Sequence, residues 1–500
     1  MTAERLRPLL RAGGAILKQP AAQLILGALA LISPILYNRV PFLFTDTGTY
    51  FQAGYRALYA MIGRRQGASE LSDTYLAARS PYYGVPLIAV DALGTIWAVV
   101  ALQALAAAFA LRVLAKAIAP AAAGRTFAAL IAALTVGSAL PLFVGFAMPD
   151  VFGGLALALA AALFVYADRL TWREMSWSWV LLVFSLTLHA SHFMAALVLT
   201  PLAAAAIWFA DPVRGRRAAR LGGAALAVTA LFVGLYLGLN SISKTPQRAP
   251  PFLTARVLAD GPGRIYLREA CAKEPNRYRL CAFKDRRLDN GDTILWGWDK
   301  KTGVYTSSDL PTRIALIAEQ PRFVIDVLLH KPASQAVASL ANAGEQFIAL
   351  GLDEGFKIDG RYWLTYPPDF YLRQVIERIN GCPEGAKKCV ARLPLQAMTV
   401  AHIAVVIAAG LYLALALAAR ARREWRLAEE DARDWKLFWL AAGLILAGLA
   451  VNAVVCGVIS GPFPRYQARM AWLVPALAIL AEARFPLIRR LIPARRADPG

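Results

Sequence analysis

The stretch "AAQLILGALALISPILYNRVPFLFTDTGTYFQAGY", residues 21–55, decides the fold class because an uncharged apolar run ends abruptly in a polar sequence. Residues 21–38 contain no charged side chain, and about 20 such residues are enough for a helix to cross the hydrocarbon layer of a membrane. The chain has 500 residues, of which 58% are apolar and only 17% are charged, whereas soluble domains are about a quarter charged. We therefore predict an all-α polytopic membrane protein.

Apolar runs of similar length recur along the chain and predict about ten transmembrane helices. The predicted spans are residues 21–39, 87–111, 126–146, 151–167, 177–190, 192–209, 221–239, 399–419, 437–459 and 470–483. The stretch 177–209 is ambiguous, because it could form one long helix or two short helices that turn near "HASH", residues 189–192. Basic loops flank this stretch on both sides, which favours two helices.

The net charge of +21 is distributed as in a membrane protein rather than as in a nucleic-acid-binding protein. Basic residues concentrate in short loops between alternate spans and in the C-terminal tail, which the positive-inside rule places in the cytoplasm. We therefore predict a bacterial inner-membrane protein with both termini in the cytoplasm, contacts with membrane lipids and no nucleic-acid partner. The run at 21–40 lacks a convincing cleavage site, so we interpret it as a retained helix rather than as a signal peptide.

This topology divides the chain into three parts. Residues 1–239 form an N-terminal transmembrane region of about seven helices, with a first outer loop at 40–86. Residues 240–398 form a periplasmic, mostly α-helical domain, and within it residues 309–352 show helical apolar spacing broken by prolines, which predicts two or three amphipathic helices. Residues 399–500 form a C-terminal region of about three transmembrane helices and a basic cytoplasmic tail.

Four of the five cysteines fall in the predicted periplasmic domain, as the close pairs Cys271 with Cys281 and Cys382 with Cys389. Close pairs in an oxidising compartment predict two small-loop disulfides. A zinc site is the alternative, although no histidine or second cysteine pair stands at ligand spacing. Cys456 lies inside a span and is interpreted as a packing thiol.

The polar stretches that leave the membrane all emerge on the outer face in this topology, and two of them contain an acid. Asp46 either caps an interfacial helix or acts as a carboxylate at the membrane–water boundary, able to accept a proton or to bind a divalent metal. Asp150 either begins a helix, where the dipole favours an acid, or supports Asp46. Glu70 and Asp73 are further acids of the first outer loop, although solvation explains them equally well.

The other candidate residues could bind substrate, and each has a structural alternative. His189 and His192 lie three residues apart and either pack within the membrane or contact a phosphate or a sugar hydroxyl. Arginines on an outer loop either reach lipid headgroups or bind phosphate with two parallel hydrogen bonds. The candidate arginines of the outer loops and their neighbouring tyrosines are Arg79, Tyr82, Arg465, Tyr466 and Arg469.

Several of these segments resemble the GT-C superfamily of membrane glycosyltransferases, with bacterial aminoarabinose transferases and protein mannosyltransferases as the nearest analogues. They are the acid that follows the first helix, "RSPYYGVPL" (79–87), "MPDVFGGLALALAAALFVYA" (148–167) and "RYQARMAWLVPALAIL" (465–480). The resemblance covers residues 20–210 and 437–483. Many members of that superfamily carry two adjacent acids in the first loop, whereas Asp46 is followed by Thr47, which leaves metal dependence open.

The resemblance implies an inverting transferase with a polyprenyl-phosphate sugar as donor and a lipid, glycan or protein as acceptor. It implies that Asp46 is the catalytic base or the acid that binds a metal, with Asp150 as a second catalytic acid and Arg465 as a phosphate contact. A divalent metal is therefore a candidate cofactor. The alternatives are a membrane transporter or lipid flippase, or a polysaccharide polymerase or ligase that uses lipid-linked glycans. Charged residues are scarce inside the spans and the two halves show no repeat, which disfavours a transporter.

Overall fold

The computed structural model describes residues 19–61, 79–241, 248–352, 356, 392–421 and 429–486. In those residues the regular structure is helical, apart from one isolated bridge between Phe42 and Phe146. Eight of the described helices are long and apolar enough to cross a membrane by length and composition. The chain is therefore an all-α, multi-pass membrane protein.

The helices follow one another in two groups. The N-terminal group contains α1 (Pro20–Asn38), α2 (Thr45–Met61), α3 (Pro81–Leu93), α4 (Trp97–Ile118), α5 (Ala123–Gly137), α6 (Leu140–Val144), α7 (Val151–Tyr166), α8 (Trp172–Leu188), α9 (Ala190–Ala210) and α10 (Pro212–Ser241). The C-terminal group contains α11 (Phe252–Ala259), α12 (Pro262–Lys273), α13 (Gly291–Trp296), α14 (Leu310–His330), α15 (Pro332–Ile348), α16 (Leu395–Ala421), α17 (Glu429–Ile459), α18 (Pro464–Ala471) and α19 (Leu473–Arg484).

Each predicted span overlaps a helix, but eight described helices, rather than ten, are long and apolar enough to cross a membrane, and three predicted spans are interrupted. The span 470–483 begins in α18 and continues in α19 after Trp472. The predicted span 87–111 is interrupted at Gly94, whose φ of 66° lies in the left-handed region that ends a helix. Helix α3 therefore ends at Leu93 and a separate helix, α4, continues to Ile118. The predicted span 126–146 likewise ends early, because Ser138 is extended and short helix α6 starts afresh two residues later.

The ambiguous stretch 177–209 forms two helices, α8 and α9, as predicted. They are separated by His189, which has the extended conformation φ −147°, ψ 135°. At the start of α8, Glu174 contacts Lys116 at 2.5 Å, and at the end of α9 the carbonyl of Ala210 accepts a hydrogen bond from Lys436. The start of α8 and the end of α9 therefore lie together, where α4 ends and α17 begins. The two helices run in opposite directions.

Ion pairs join the helices at this end of the bundle, which we call the ion-paired end. Arg169 contacts Asp434, and Arg484 contacts the same carboxylate at 2.9 Å. Arg214 of α10 bridges to Asp168 at the end of α7. The candidate site lies at the opposite end of the bundle, which we call the site end.

Helices α11 to α14 enclose a second apolar core that extends from Ala255 to Val327 and is separate from the core of the membrane helices. A disulfide joins Cys271 to Cys281, as predicted. The other predicted pair, Cys382 and Cys389, lies outside the described residues. Free Cys456 is buried in α17, as expected for a packing thiol.

Candidate active site

Backbone hydrogen bonds hold the segment before Asp46 against the segment before Asp150. The N–H of Phe42 donates to the carbonyl of Gly145 at 2.8 Å, and the N–H of Ala147 donates to the carbonyl of Phe42 at 2.9 Å. The hydroxyl of Thr47 also donates to the carbonyl of Ala147 at 3.1 Å. Two parts of the chain about a hundred residues apart therefore start their helices, α2 and α7, side by side at the site end.

Asp46 lies in the first turn of α2, and its carboxylate pairs with two arginines from other parts of the chain. Oδ1 lies 2.7 Å from Nη2 of Arg79, and Oδ2 lies 3.8 Å from Nη2 of Arg465. Burial is the largest influence on the pKa of Asp46 and raises it, but the two guanidinium charges and the hydrogen bond from Arg79 together outweigh it. The pKa of Asp46 therefore lies below its usual value, and the group is ionised at neutral pH.

Asp150 stands at the N-cap of α7, yet its carboxylate makes no capping hydrogen bond. The side chain is 2% exposed and lies between two arginines, with Oδ1 3.7 Å from Nε of Arg465 and 3.4 Å from Nη1 of Arg469. Asp150 therefore stands at a helix start, where the dipole favours an acid, and its carboxylate also contacts two arginines. Arg465 contacts both acids, so the order of contacts is Arg79, Asp46, Arg465, Asp150, Arg469.

Arg469 is held by groups from three helices and is fully buried. Besides Asp150, its Nη2 donates to the hydroxyl of Ser191 at 3.1 Å and to the amide oxygen of Asn452 at 3.1 Å. The amide nitrogen of Asn452 in turn donates to the carbonyl of Tyr466 at 2.8 Å. These contacts fix α18, which carries both arginines, against α9 and α17.

Aromatic rings enclose Arg465, as is common for a guanidinium that is removed from water. Its central carbon lies 4.3 Å from the ring centre of Phe44 and 5.3 Å from that of Tyr466. Arg79 lies 6.0 Å from the ring centre of Tyr50. The rings limit the directions from which the guanidinium groups can be approached.

The cluster has more donors and more positive charge than its own acceptors satisfy. Nε of Arg79, Nη1 of Arg465 and Nε of Arg469 are buried and have no hydrogen-bond partner among the described residues. Three guanidinium groups face the two carboxylates of Asp46 and Asp150, which leaves one excess positive charge. Buried donors without partners are uncommon and costly, so the arrangement suits an additional anion.

His189 and His192 lie on either side of Ser191, with ring centres 5.3 Å apart. The N–H of Ser191 donates to Nδ1 of His189, so this nitrogen is an acceptor and the proton of the neutral ring is on Nε2. Nδ1 of His192 faces the carbonyl of Ser185 at 3.0 Å and is therefore a donor. Nε2 of His192 then carries a lone pair, and it is buried without a partner among the described residues.

A narrow apolar cavity of about 50 Å³ lies between α7, α8, α9, α10 and α17. Its walls are lined by small residues such as Gly153, Ala156, Ala160 and Gly448, and it extends to Phe164. The distance from Gly153 to Phe164 along α7 is about 16 Å at 1.5 Å per residue.

At the site end this cavity is lined by Ser191, His192 and Asn452, and two of these contact Arg469. An apolar space within the membrane helices therefore ends beside the cluster of acids and arginines.

The structure brings together most of the residues that were predicted for the site, but not all of them. Asp46, Asp150, Arg79, Arg465 and Arg469 form one connected cluster, with Tyr466, His189 and His192 beside it. Tyr82 instead donates its hydroxyl to the carbonyl of Phe232 on α10 at 2.7 Å, and the described contacts do not link it to the cluster. Glu70 and Asp73 lie outside the described residues.

Three residues near the cluster were not predicted from the sequence: Tyr50, Tyr83 and Asn452. Tyr83 follows the predicted Tyr82 but is buried, and it donates to Gln103, which in turn donates to the carbonyl of Phe146. Its ring lies 5.2 Å from that of Tyr50, which faces Arg79. Asn452 is a polar residue inside an apolar span, and this is the signal that could have identified it.

The donor set of the cluster does not suit a divalent metal. Each carboxylate is already neutralised by arginines, and no group of three or more histidine, cysteine, aspartate or glutamate side chains comes together within the part of the chain that the structure describes. A divalent ion prefers several oxygen ligands and would be repelled by the three guanidinium groups. We therefore assign no chemical step to a metal.

Comparison with known proteins adds no relative: no family model, no curated protein and no solved structure gives a significant match to the chain.

Proposed function

We propose that the chain is an integral membrane glycosyltransferase, of the inverting GT-C type, that moves a sugar from a polyprenyl-phosphate donor to a lipid, glycan or protein acceptor on the periplasmic face. One observation carries the proposal: a cluster of two acids and three arginines, of which only Asp46 and Arg79 are partly exposed, lies at the polar end of an apolar cavity within the membrane helices. A prenyl phosphate has the same two parts, an apolar chain and an anionic head.

Arg465 is the best-placed phosphate ligand. Its guanidinium group already contacts both acids, and its buried Nη1 has no partner among the described residues. A guanidinium group remains charged and can donate two parallel hydrogen bonds to phosphate oxygens. The same charge would stabilise the prenyl phosphate as it leaves the sugar.

Asp46 is the better candidate for the base, because 21% of its side chain is exposed whereas Asp150 is buried. In the structure its pKa is lowered, so Asp46 is ionised but weakly basic. When the donor phosphate shares Arg79 and Arg465, their effect on the carboxylate decreases and its basicity rises. Substrate binding therefore activates the base.

The chemical step requires one proton transfer and one substitution. The acceptor hydroxyl loses its proton to Asp46 as its oxygen bonds to the anomeric carbon of the sugar. The bond from that carbon to the phosphate oxygen breaks at the same time, and prenyl phosphate leaves with the electron pair. Attack opposite the leaving group inverts the anomeric centre.

Asp150 has a positioning role in this proposal. It lies between Arg465 and Arg469 and keeps two buried guanidinium groups at fixed separation. Without it, like charges would repel in a site of low dielectric. Its carboxylate is 2% exposed and is not open to an acceptor.

A flippase or transporter needs a path to both faces of the membrane. The ion pairs of Arg169, Arg214 and Arg484 connect the helices at the end opposite the site, which favours a reaction at the site end alone. A polymerase or ligase would use the same lipid-linked chemistry with a longer glycan.

The experiment compares cells that carry wild type, Asp46→Asn, or the control Asp289→Asn, in which a surface acid paired with Arg287 is changed. We expect loss of a surface glycan in Asp46→Asn alone, with accumulation of a prenyl-linked monosaccharide that a membrane-impermeant oxidant can reach. Accumulation that is protected from the oxidant would indicate a flippase, and a lipid-linked oligosaccharide would indicate a polymerase or ligase. A normal glycan in Asp46→Asn would overturn the proposal.

A further inference from the structure

Helix α15 turns its three amide side chains toward the protein, whereas its polar residues Ser334 and Glu345 are exposed. Gln335 and Asn342 donate to the carboxylate of Asp260 at 2.7 and 2.8 Å. Gln346 is fully buried, donates to the carbonyl of Phe463 at 2.9 Å and accepts from its N–H at 2.8 Å. All three glutamine and asparagine side chains of α15 are therefore used within the protein.

The opposite face of α15 is apolar and exposed. Val337, Leu340, Phe347 and Ile348 recur at helical spacing and are 49% to 74% exposed. A helix on the surface of a soluble domain shows the reverse pattern, with apolar residues toward the core and polar residues toward water. The outward face of α15 therefore suits an apolar environment.

The surroundings of α15 indicate which apolar environment this is. The helix packs along α17, a candidate membrane span, so closely that a Cβ atom at Gly457 would lie 2.6 Å from the carbonyl oxygen of Asn342. On α17, Val454 is 52% exposed, as expected for a residue in contact with lipid. At the preceding helix end, Leu328 and Leu329 are also exposed. The apolar face of α15 is thus continuous with a membrane-spanning surface.

We propose that α15 is an interfacial membrane helix, with Val337, Leu340, Phe347 and Ile348 in contact with the acyl chains of the leaflet at the site end. This changes the interpretation of the predicted periplasmic domain, because α15 then belongs to the membrane part and only α11 to α14 form a separate unit. The assignment does not depend on the proposed function.

The polar face of α15 connects this lipid contact to the cluster. Gln346 makes both of its hydrogen bonds with Phe463, the N-cap of α18, and α18 carries Arg465 and Arg469. We therefore assign Gln346 as a positioning residue: the depth of α15 in the leaflet sets the position of the helix that holds the arginines.

The experiment places the photoreactive residue p-benzoylphenylalanine at position 340 or 347 in the full chain and irradiates intact membranes and vesicles of phosphatidylethanolamine and phosphatidylglycerol. Position 411, on the exposed face of candidate span α16, is the positive control, and position 287, an exposed arginine of the separate unit, is the negative control. The readout is the mass of the crosslinked peptide.

We expect phospholipid adducts at 340, 347 and 411 and none at 287. Because both test positions are exposed, the substitution leaves the buried face of α15 intact. A crosslink from 340 and 347 to protein, whether the same chain, a second copy or another polypeptide, would overturn the assignment. So would the absence of any adduct at both positions while 411 reacts with lipid.

Discussion

Asp46→Asn separates catalysis from binding at the proposed site. The substitution keeps the size of the side chain and an acceptor oxygen but removes the charge that faces Arg79 at 2.7 Å and Arg465 at 3.8 Å. Breaking a fully buried ion pair costs about 3–5 kcal/mol. About a fifth of the side chains of Asp46 and Arg79 is exposed, and the amide of the variant can still accept a hydrogen bond. We therefore expect the free energy of unfolding to fall by only about 1–3 kcal/mol.

The kinetic effect should be larger than this loss of stability can explain. Removing a general base lowers turnover by about 10²–10⁴-fold, whereas a domain with a free energy of unfolding of about 5–15 kcal/mol stays folded after losing 1–3 kcal/mol. The affinity for the donor should increase, whereas turnover falls. The two guanidinium groups lose a competing negative charge, so a prenyl phosphate should bind about tenfold more tightly, equivalent to about 1.4 kcal/mol.

Donor binding and glycan transfer are measured separately on the same variants. Purified wild type and Asp46→Asn are reconstituted in lipid nanodiscs, and a short-chain prenyl phosphate is titrated calorimetrically. The surface glycan is quantified in cells that express the same variants. Weaker prenyl-phosphate binding in Asp46→Asn with unchanged thermal stability would refute the assigned roles, because it would make Asp46 a ligand rather than a base.

The remaining predictions concern the other parts of the site. Asp150→Asn should lower the free energy of unfolding by about 3–5 kcal/mol, more than Asp46→Asn, because its carboxylate is buried between two arginines. Ala160→Phe should fill the apolar cavity and abolish binding of a long-chain prenyl phosphate while inorganic phosphate still binds. Gln346→Leu should lower stability by about 1–3 kcal/mol, since the N–H and carbonyl of Phe463 lose their partners. The stability difference between wild type and Asp46→Asn should stay constant at neutral pH and disappear as the pH falls below about 4, because a lowered folded-state pKa stabilises only above the unfolded value.

Chemical denaturation in detergent measures the stability of Asp150→Asn and Gln346→Leu, with Asp289→Asn as the control for an exposed acid. An Asp150→Asn protein as stable as the wild type would show that the buried pairs are not important for the fold. For Ala160→Phe, equal affinity for long and short prenyl chains in both proteins would remove the cavity from the proposed site. For the pH series, a stability difference that grows on acidification would mean that the pKa of Asp46 is raised rather than lowered.

Some residues of the candidate site can be predicted from their neighbours in the sequence. Asp46 and Asp150 were identified because each directly adjoins an apolar run, and Arg465 because an arginine on an outer loop is unusual. Tyr82 is the predicted contact, but Tyr83 is the tyrosine buried toward the cluster, because adjacent residues on a helix differ by about 100° in direction.

The sequence by itself determined the approximate positions of most helices and the disulfide of Cys271 with Cys281. The helices follow from apolar runs whose backbone groups must pair within lipid, and the disulfide follows from the close spacing of the two cysteines. Only the tertiary structure decided that the acids and arginines share contacts, and that α15 turns its amide side chains inward. The same amphipathic pattern suits a helix on a soluble core and a helix in a leaflet. The helical period places apolar and polar residues on opposite faces, but it does not specify whether protein, lipid or water contacts each face. The hydrogen bonds from Gln335 to Asp260 and from Gln346 to Phe463 distinguish the two.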